Sequence, residues 1–407
     1  MKIEGTWDPA FGEVVEALRR HLSGTARGGA GVCVYHRGRP VVDAWAGTAG
    51  FDGRPWERDT MALSFSTTKG VMATLVAVLV DRGLLRYEDP VERFWPEFAA
   101  GGKGGILVRH LLCHEAGLHS IRSRIDRADR MLDWDHMVAV LARSEPEFAP
   151  GSANAYHGLT YGWLVGELVR RITGREIPAL LEDLISRPLR LDGLHVGAPA
   201  SERRRVADLI PPRFDPEPLL TSRLVHGVSR LLRYPFDARS CAEALAPRGV
   251  IDFFYAPSIH DAPVPAANGV FTARSLARMY AAIAGGGQLD GVRLLSTDTA
   301  YAIGRIQNRR FDRVLGIPMF WRLGYHMVPT TRGVLRRAFG HFGYGGSGAF
   351  ADPRRDLAVA MTVNRVAGLP IGDLRMFQIG GAAAACADRV AVADGASVSR
   401  PATEPAA

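Results

Sequence analysis

The chain has 407 residues, 47% of them hydrophobic and 23% charged, a globular composition with length for one large domain or two interleaved ones, since single cores stop growing at about 250 to 300 residues. The formal net charge is +8, but the arginines are spread without a basic block or interleaved aromatics, so no nucleic-acid partner is expected. Cys33, Cys113, Cys241 and Cys386 are scattered with no CxxC pair, which argues against a disulfide framework or zinc site and fits a reducing cytoplasm.

From Met1 to Leu22 no apolar run follows a basic start, so no signal peptide is expected; Phe11, Val14, Val15, Leu18 and Leu22 recur instead at helical spacing. Gly31–Gly47 reads as a hairpin, with Val32, Val34, Val41, Val42 and Trp45 around the turn His36-Arg37-Gly38-Arg39. From about Met61 to Gly287 the pattern is mostly helical, clearest in Tyr161–Ile172 and Leu276–Ile283. The most apolar run, Val71–Val80, stops at Asp81-Arg82, well short of the ~20 residues that cross a bilayer, so no membrane span is expected.

Pro211–Pro265 is rich in Pro, Arg and aromatics (Phe253, Phe254, Tyr255) and has no sustained period; it could line a pocket or be irregular surface covering. Strand patterns return at Val334–Phe339, Gly348–Ala351 and Leu357–Val363, the last two joined by the turn Asp352-Pro353-Arg354-Arg355-Asp356, and a helix follows over about Ile371–Val392. The terminal stretch from Ala391, with its Ser, Pro and Ala, reads as disordered. Strands at both ends with helices between them predict an α+β fold. Residues 1–60 and 288–392 would build one sheet flanked by helices, 61–287 an inserted all-helical domain, and 393–407 a tail.

Of the 50 basic residues only Lys2, Lys69 and Lys103 are lysine, so each lysine asks for a reason. Lys69 stands three residues after Ser66, at the head of the apolar run, and that spacing puts both on one helical face. A serine hydroxyl is a poor nucleophile until its proton is removed; a desolvated amine can remove it, and a guanidinium cannot. The alternative is that Lys69 caps a surface turn. Tyr156, in Tyr156-His157-Gly158, gains meaning only beside this pair, because a tyrosine near a cation can share the nucleophile's proton, whereas a lone one would be packing.

A third element is Phe339-Gly340-His341-Phe342-Gly343-Tyr344-Gly345-Gly346-Ser347-Gly348. Glycines inside a strand mark close approach, and an edge strand with open N–H groups can hold an acyl oxyanion. Gly343–Gly348 also fits G-x-G-x-x-G, but a strand and an Asp-Pro turn follow it where a dinucleotide site needs a helix. His114-Glu115-Ala116-Gly117-Leu118-His119 is one residue too long for H-E-x-x-H, so no metal is expected, and no cofactor is called for.

These three elements resemble the serine β-lactamase and DD-peptidase (penicillin-binding) superfamily, and most of all the family VIII carboxylesterases and related class C-like hydrolases. The likeness extends to Asp59-Thr60, Val108–Leu112 with Gly117-Leu118, Gly162–Gly166 and Gly269–Ala273. It implies a mixed α+β fold, a helical domain against an α/β domain with an antiparallel sheet, and an acyl-enzyme site at their junction. Ser66 takes the nucleophile's place, Lys69 the activating lysine's, Tyr156 the tyrosine's and His341-Phe342-Gly343 that of the third motif, with the oxyanion between the N–H groups of Ser66 and Tyr344.

Two departures bear on substrate. His341 stands where Lys-Thr-Gly would supply a fixed cation for a penicillin carboxylate, and Gly158 replaces the asparagine of Tyr-x-Asn, removing an amide that could bind an acylamino group. The resemblance therefore implies an esterase for small neutral esters of short to medium acyl chain, with weak β-lactam turnover if any. The alternatives are a β-lactamase, D-aminopeptidase or acyltransferase on this scaffold, or a non-catalytic binding protein. The acyl chain length, the oligomeric state and the choice between Lys69 and Tyr156 as first base are not fixed by the sequence.

Overall fold

The computed structural model describes residues 2–23, 27–212, 222, 238–366 and 373–395. The chain begins with strand β1 (Glu4–Trp7), helix α1 (Gly12–Leu22) and the hairpin of β2 (Gly29–His36) and β3 (Arg39–Gly47). The hairpin turns at Arg37-Gly38, both with positive φ (52° and 72°), a two-residue geometry whose twist matches the strands it joins. Strand β4 (Ala62–Leu63) leads into α2 (Thr67–Asp81); α3 (Tyr161–Thr173), β5 (Leu194–Val196), α4 (Ala238–Leu245), α5 (Val250–Tyr255), β6 (Gly269–Phe271) and α6 (Ala273–Ala284) follow, with a helix over Trp134–Arg143 and further helical turns between. The carboxy-terminal part supplies β7 (His326–Thr330), β8 (Gly333–Phe342), β9 (Gly348–Asp352), β10 (Leu357–Val363) and α7 (Arg375–Ala393).

Seven strands make one antiparallel sheet in the order β1-β3-β2-β10-β9-β8-β7. Its central pair joins opposite ends of the chain, with Val32 against Met361 and Val34 against Val359. Period-two alternation then sorts the side chains. Val32, Val34, Val359 and Met361 pack with Val14 and Leu18 of α1 and Ile379 and Ala383 of α7, while Cys33, Tyr35, Ala358 and Ala360 join a second core with Leu276, Tyr280 and Ile283 of α6. The alanines on that face let α6 lie close to the sheet.

Helix α2 runs through the larger core and is buried from Thr67 to Leu79. Its valines are only moderate helix formers, so burial on every side rather than intrinsic propensity holds it. Truncating Leu75 there, which is fully buried, would cost about 2–5 kcal/mol.

Several expectations need correction. The inserted stretch is not purely helical, because β4, β6 and β5 pair as a three-stranded sheet; strands of two or three residues are too short to leave a period. Helix α6 packs on β2, β9 and β10, so the sheet's helical layer begins before residue 288. Strand β8 is not at the edge: β7, whose pattern is interrupted by Pro329, pairs with it as far as Gly340. Helix α7 starts at Arg375 and includes Ala391–Ala393, and residues 396–407 lie outside the described residues. No helix among the described residues is long and apolar enough to cross a membrane.

Candidate active site

The nucleophile candidate sits where β4 turns into α2. Phe65 has φ +45°, a left-handed conformation that costs a non-glycine residue about 1–3 kcal/mol. Its ring packs on Phe254 and Tyr344 at centroid distances of 5.1 and 5.4 Å. The kink leaves Ser66 with helical dihedrals just ahead of Thr67, half-buried and lining the main pocket. The N–H groups of Thr67, Thr68 and Lys69 turn back onto the carbonyls of Ser64, Phe65 and Ser66.

One turn on, Lys69 is completely buried. Its Nζ lies 3.0 Å from Ser66 Oγ, 2.6 Å from Gly158 O and 2.9 Å from Ala266 O. Burial pushes its pKa well below the usual lysine range, since desolvation disfavours the charged form. A neutral amine carries two N–H groups and a lone pair. The two carbonyls can accept only N–H, so together they use both and leave the lone pair facing the serine hydroxyl.

Tyr156 is 6% exposed and donates its phenol to Ser66 Oγ at 2.7 Å. Its ring lies 4.9 Å from Lys69 Nζ, and burial pushes the phenol well above the ordinary tyrosine range. Desolvation therefore favours a neutral amine and a neutral phenol together. Sequence reasoning missed what holds this tyrosine. The buried carboxylate of Asp312 accepts from the backbone N–H of Tyr156 (3.1 Å), Val314 (2.9 Å) and Leu315 (3.0 Å), from Trp321 Nε1 (3.1 Å) and from Asn154 Nδ2 (3.3 Å). The Trp321 ring stacks 5.7 Å from Tyr156 at an interplanar angle of 8°. A lone aspartate in the run Arg309–Arg313, 156 positions from its partner, carries no signal in the sequence.

The third motif ends β8 beside this pair. His341 Nδ1 lies 3.1 Å from Phe342 O; a carbonyl only accepts, so Nδ1 carries the hydrogen. Burial, with His326 and Lys69 nearby, holds the imidazole well below its usual pKa and thus neutral. His326 Nε2 accepts from Phe342 N at 3.0 Å, so β7 closes what the edge expectation left open. Gly343 is required by close approach, because a Cβ there would stand 2.1 Å from Ser64 O. The following loop is fastened by Gly343 N to Ser347 O (2.7 Å), by Val363 N to Ser347 Oγ (3.1 Å) and by Arg375, which holds the carbonyls of Gly345 and Arg365.

These groups open on a cavity of about 240 Å³. Leu245, Ala246, Val250, Ile251 and Phe254 form one wall, and Leu315, Ile317, Met319, Met327 and Phe377 stand among the others. Of the ambiguous Pro211–Pro265 stretch, the pocket-lining reading holds for Phe254; Phe253 turns into the core, and residues 213–221 and 223–237 lie outside the described residues. Among the described residues the lining has no lysine or arginine, and the one charged residue there, Asp373, pairs with Arg375.

The structure gives other reasons for the remaining motifs. His114 packs its ring on Trp321 (4.2 Å) and Tyr156 (4.9 Å) and accepts from His157 N. His119 faces Glu147 at 3.5 Å. Among the described residues no cluster of His, Cys, Asp or Glu could hold a metal ion. Lys103 is buried with its Nζ on the carbonyls of Ala100, Ala142 and Ser144, so that lysine ties backbone segments together, and Lys2 pairs with Glu4 on the surface.

Comparison with known proteins finds likeness along most of the chain. The family model described as Beta-lactamase matches residues 14–383. A curated relative, "Esterase/beta-lactamase LipL" of Mycobacterium tuberculosis, is 40% identical over 377 residues, covering 90% of this chain and 83% of the relative. Among solved structures, a family VIII carboxylesterase aligns with TM-score 0.81 and 33% identity over 95% of this chain and 100% of its own. A penicillin-binding protein homolog from Caulobacter crescentus aligns with TM-score 0.83 and 35% identity, again over 95% and 100%.

Proposed function

The chain belongs to the Beta-lactamase family, and on that premise we propose that it is a serine carboxylesterase that cleaves neutral esters of short to medium acyl chain through an acyl-enzyme on Ser66. The observation that carries the reading is the Lys69 amine, buried, committed to two carbonyls and 3.0 Å from Ser66 Oγ. In acylation Lys69 takes the hydroxyl proton as Oγ bonds to the ester carbonyl carbon. The oxyanion is held by the backbone N–H groups of Ser66 and Tyr344. Collapse breaks the C–O bond to the alcohol, and the proton held by Lys69 passes through the Tyr156 hydroxyl to the leaving oxygen. Water then attacks the acyl-enzyme, giving one proton to Lys69, which returns it to Ser66 Oγ as the carboxylic acid is released.

The opposed pKa shifts support Lys69 rather than Tyr156 as the first base, because burial lowers one and raises the other. Neutral substrates are supported by a lining without Lys or Arg among the described residues and by a His341 that burial keeps uncharged. The relative's printed name also includes β-lactamase, so nitrocefin belongs in the same assay as p-nitrophenyl esters. The expected result is ester turnover well above nitrocefin turnover, with a fluorophosphonate adduct on Ser66 by mass spectrometry. No adduct on Ser66 in an active preparation would refute the mechanism.

A further inference from the structure

Gly158 holds Lys69 Nζ with its carbonyl at 2.6 Å, and the space a side chain would take there is already filled. A Cβ on Gly158 would stand 2.1 Å from Leu245 Cδ2 and 3.0 Å from Ala244 O. Leu245 ends α4, and α4 is fixed in place: Ile121 N and Arg122 N donate to Glu243 O at 2.7 and 3.0 Å, and Ser123 N donates to Glu243 Oε2 at 3.0 Å. Leu245 and Ala246 therefore form a set wall beside the nucleophile, continued by Val250 and Phe254.

At Gly158 and Ala246 the backbone polar groups are spent. Gly158 N donates to Tyr156 O (2.8 Å), Gly158 O takes Lys69, Ala246 N donates to Ala242 O (2.9 Å), and Ala246 O takes the Arg122 guanidinium. A hydrocarbon chain loses nothing against such a surface. An amide pressed on it gives up water and finds neither donor nor acceptor, and that penalty corresponds to about tenfold to a hundredfold in kcat/KM.

We infer that Leu245, seated on Gly158, is a specificity-determining residue that commits the site to acyl groups carrying plain hydrocarbon next to the ester carbonyl and turns away those carrying an acylamino group there. The inference rests on the ester-hydrolase reading and deepens it: alkanoate esters are the substrate class, and N-acyl amino acid esters are discriminated against.

The test compares p-nitrophenyl pentanoate with the p-nitrophenyl ester of N-acetylglycine, whose acyl chain has the same length, on the full chain and on Leu245→Asn, which puts an amide into the wall. Expected is a wild-type preference for pentanoate that falls at least tenfold in Leu245→Asn; comparing the ratio of the two kcat/KM values between wild type and variant cancels the esters' intrinsic reactivities. Ala246→Ser, adding one hydroxyl to the same wall, is the second variant should Leu245→Asn not fold, and it moves the ratio in the same direction. A ratio unchanged in a folded variant that still labels at Ser66 overturns the inference alone. Failure of the wild type to turn over either ester or to label at Ser66 overturns the reading beneath it, and the inference with it.

Discussion

Replacing Asp312 by Asn keeps the size of the side chain and changes only what its two ends can do, which makes it a sharp probe of how Tyr156 is held. The carboxylate accepts five hydrogen bonds, three at Oδ1 from Tyr156, Val314 and Leu315 and two at Oδ2 from Trp321 and Asn154. In the better orientation the amide oxygen keeps the three backbone bonds and the NH2 group meets two donors. Two bonds are lost, and two donors are left facing a third, at about 1–3 kcal/mol each. Burial raises the Asp312 pKa, so the ionised group is itself under strain at neutral pH, and the neutral amide recovers part of the loss. The expected net destabilisation is about 2–4 kcal/mol. With an unfolding entropy of about 2.1 cal/mol/K per residue, each kcal/mol shifts Tm by ~1 °C in a chain of this length, giving a fall of about 2–5 °C. Because Trp321 and the Tyr156 loop shift together, kcat falls by about ten- to a hundredfold at saturating p-nitrophenyl ester. Calorimetry and steady-state kinetics on one preparation decide the matter: a variant with wild-type Tm and kcat would show that Tyr156 is positioned without Asp312.

The other predictions are shorter. Lys69→Arg puts a guanidinium that cannot become neutral in place of the desolvated amine, so ester turnover falls by about 10²–10⁴-fold; near-normal rates would rule out the amine as base. In the wild type kcat/KM rises with pH as Lys69 loses its proton, and because burial lowers that pKa, the plateau is reached below the ordinary lysine value of about 10.4. A profile still climbing at pH 10 contradicts a neutral resting amine. Gly343→Ala forces a methyl group onto Ser64 O, and should cost about 1–3 kcal/mol and at least tenfold in kcat/KM, read by thermal melt and ester assay.

Much of this was legible because local chemistry wrote it plainly. The spacing of Ser66 and Lys69, an apolar helix behind them, and a lysine in an arginine-rich chain announce a desolvated amine, and glycines after His341 announce close approach. The hairpin of β2 and β3 and the strands β9 and β10 follow from alternation and turn residues. What stayed hidden was made by contacts distant in sequence. Asp312 reaches Tyr156 across 156 positions, β7 is broken as a pattern by Pro329, and the sheet of β4, β6 and β5 uses strands too short to show a period. Leu245 carries no signal in the sequence; only the fold puts its methyl group in the space above Gly158.

The choice of substrate and the competence of the base have one cause in this site. On the proposed mechanism, desolvation favours a neutral Lys69 and a protonated Tyr156, so a proton leaving Ser66 has one group ready to take it and another ready to give one. That polarity lasts only while the cavity holds no fixed anion close to the amine, since a carboxylate within about 4–6 Å would favour ammonium and draw the pKa back up. The apolar walls from Leu245 to Phe254 and from Leu315 to Met327 exclude such a charge from the protein side. A neutral acyl group excludes it from the substrate side and displaces water as it binds, which lowers the amine pKa further. A substrate bearing a carboxylate would thus be penalised twice, once for lacking a cation to meet it and once for protonating the base it needs. Introducing a lysine into the third motif would answer only the first of these.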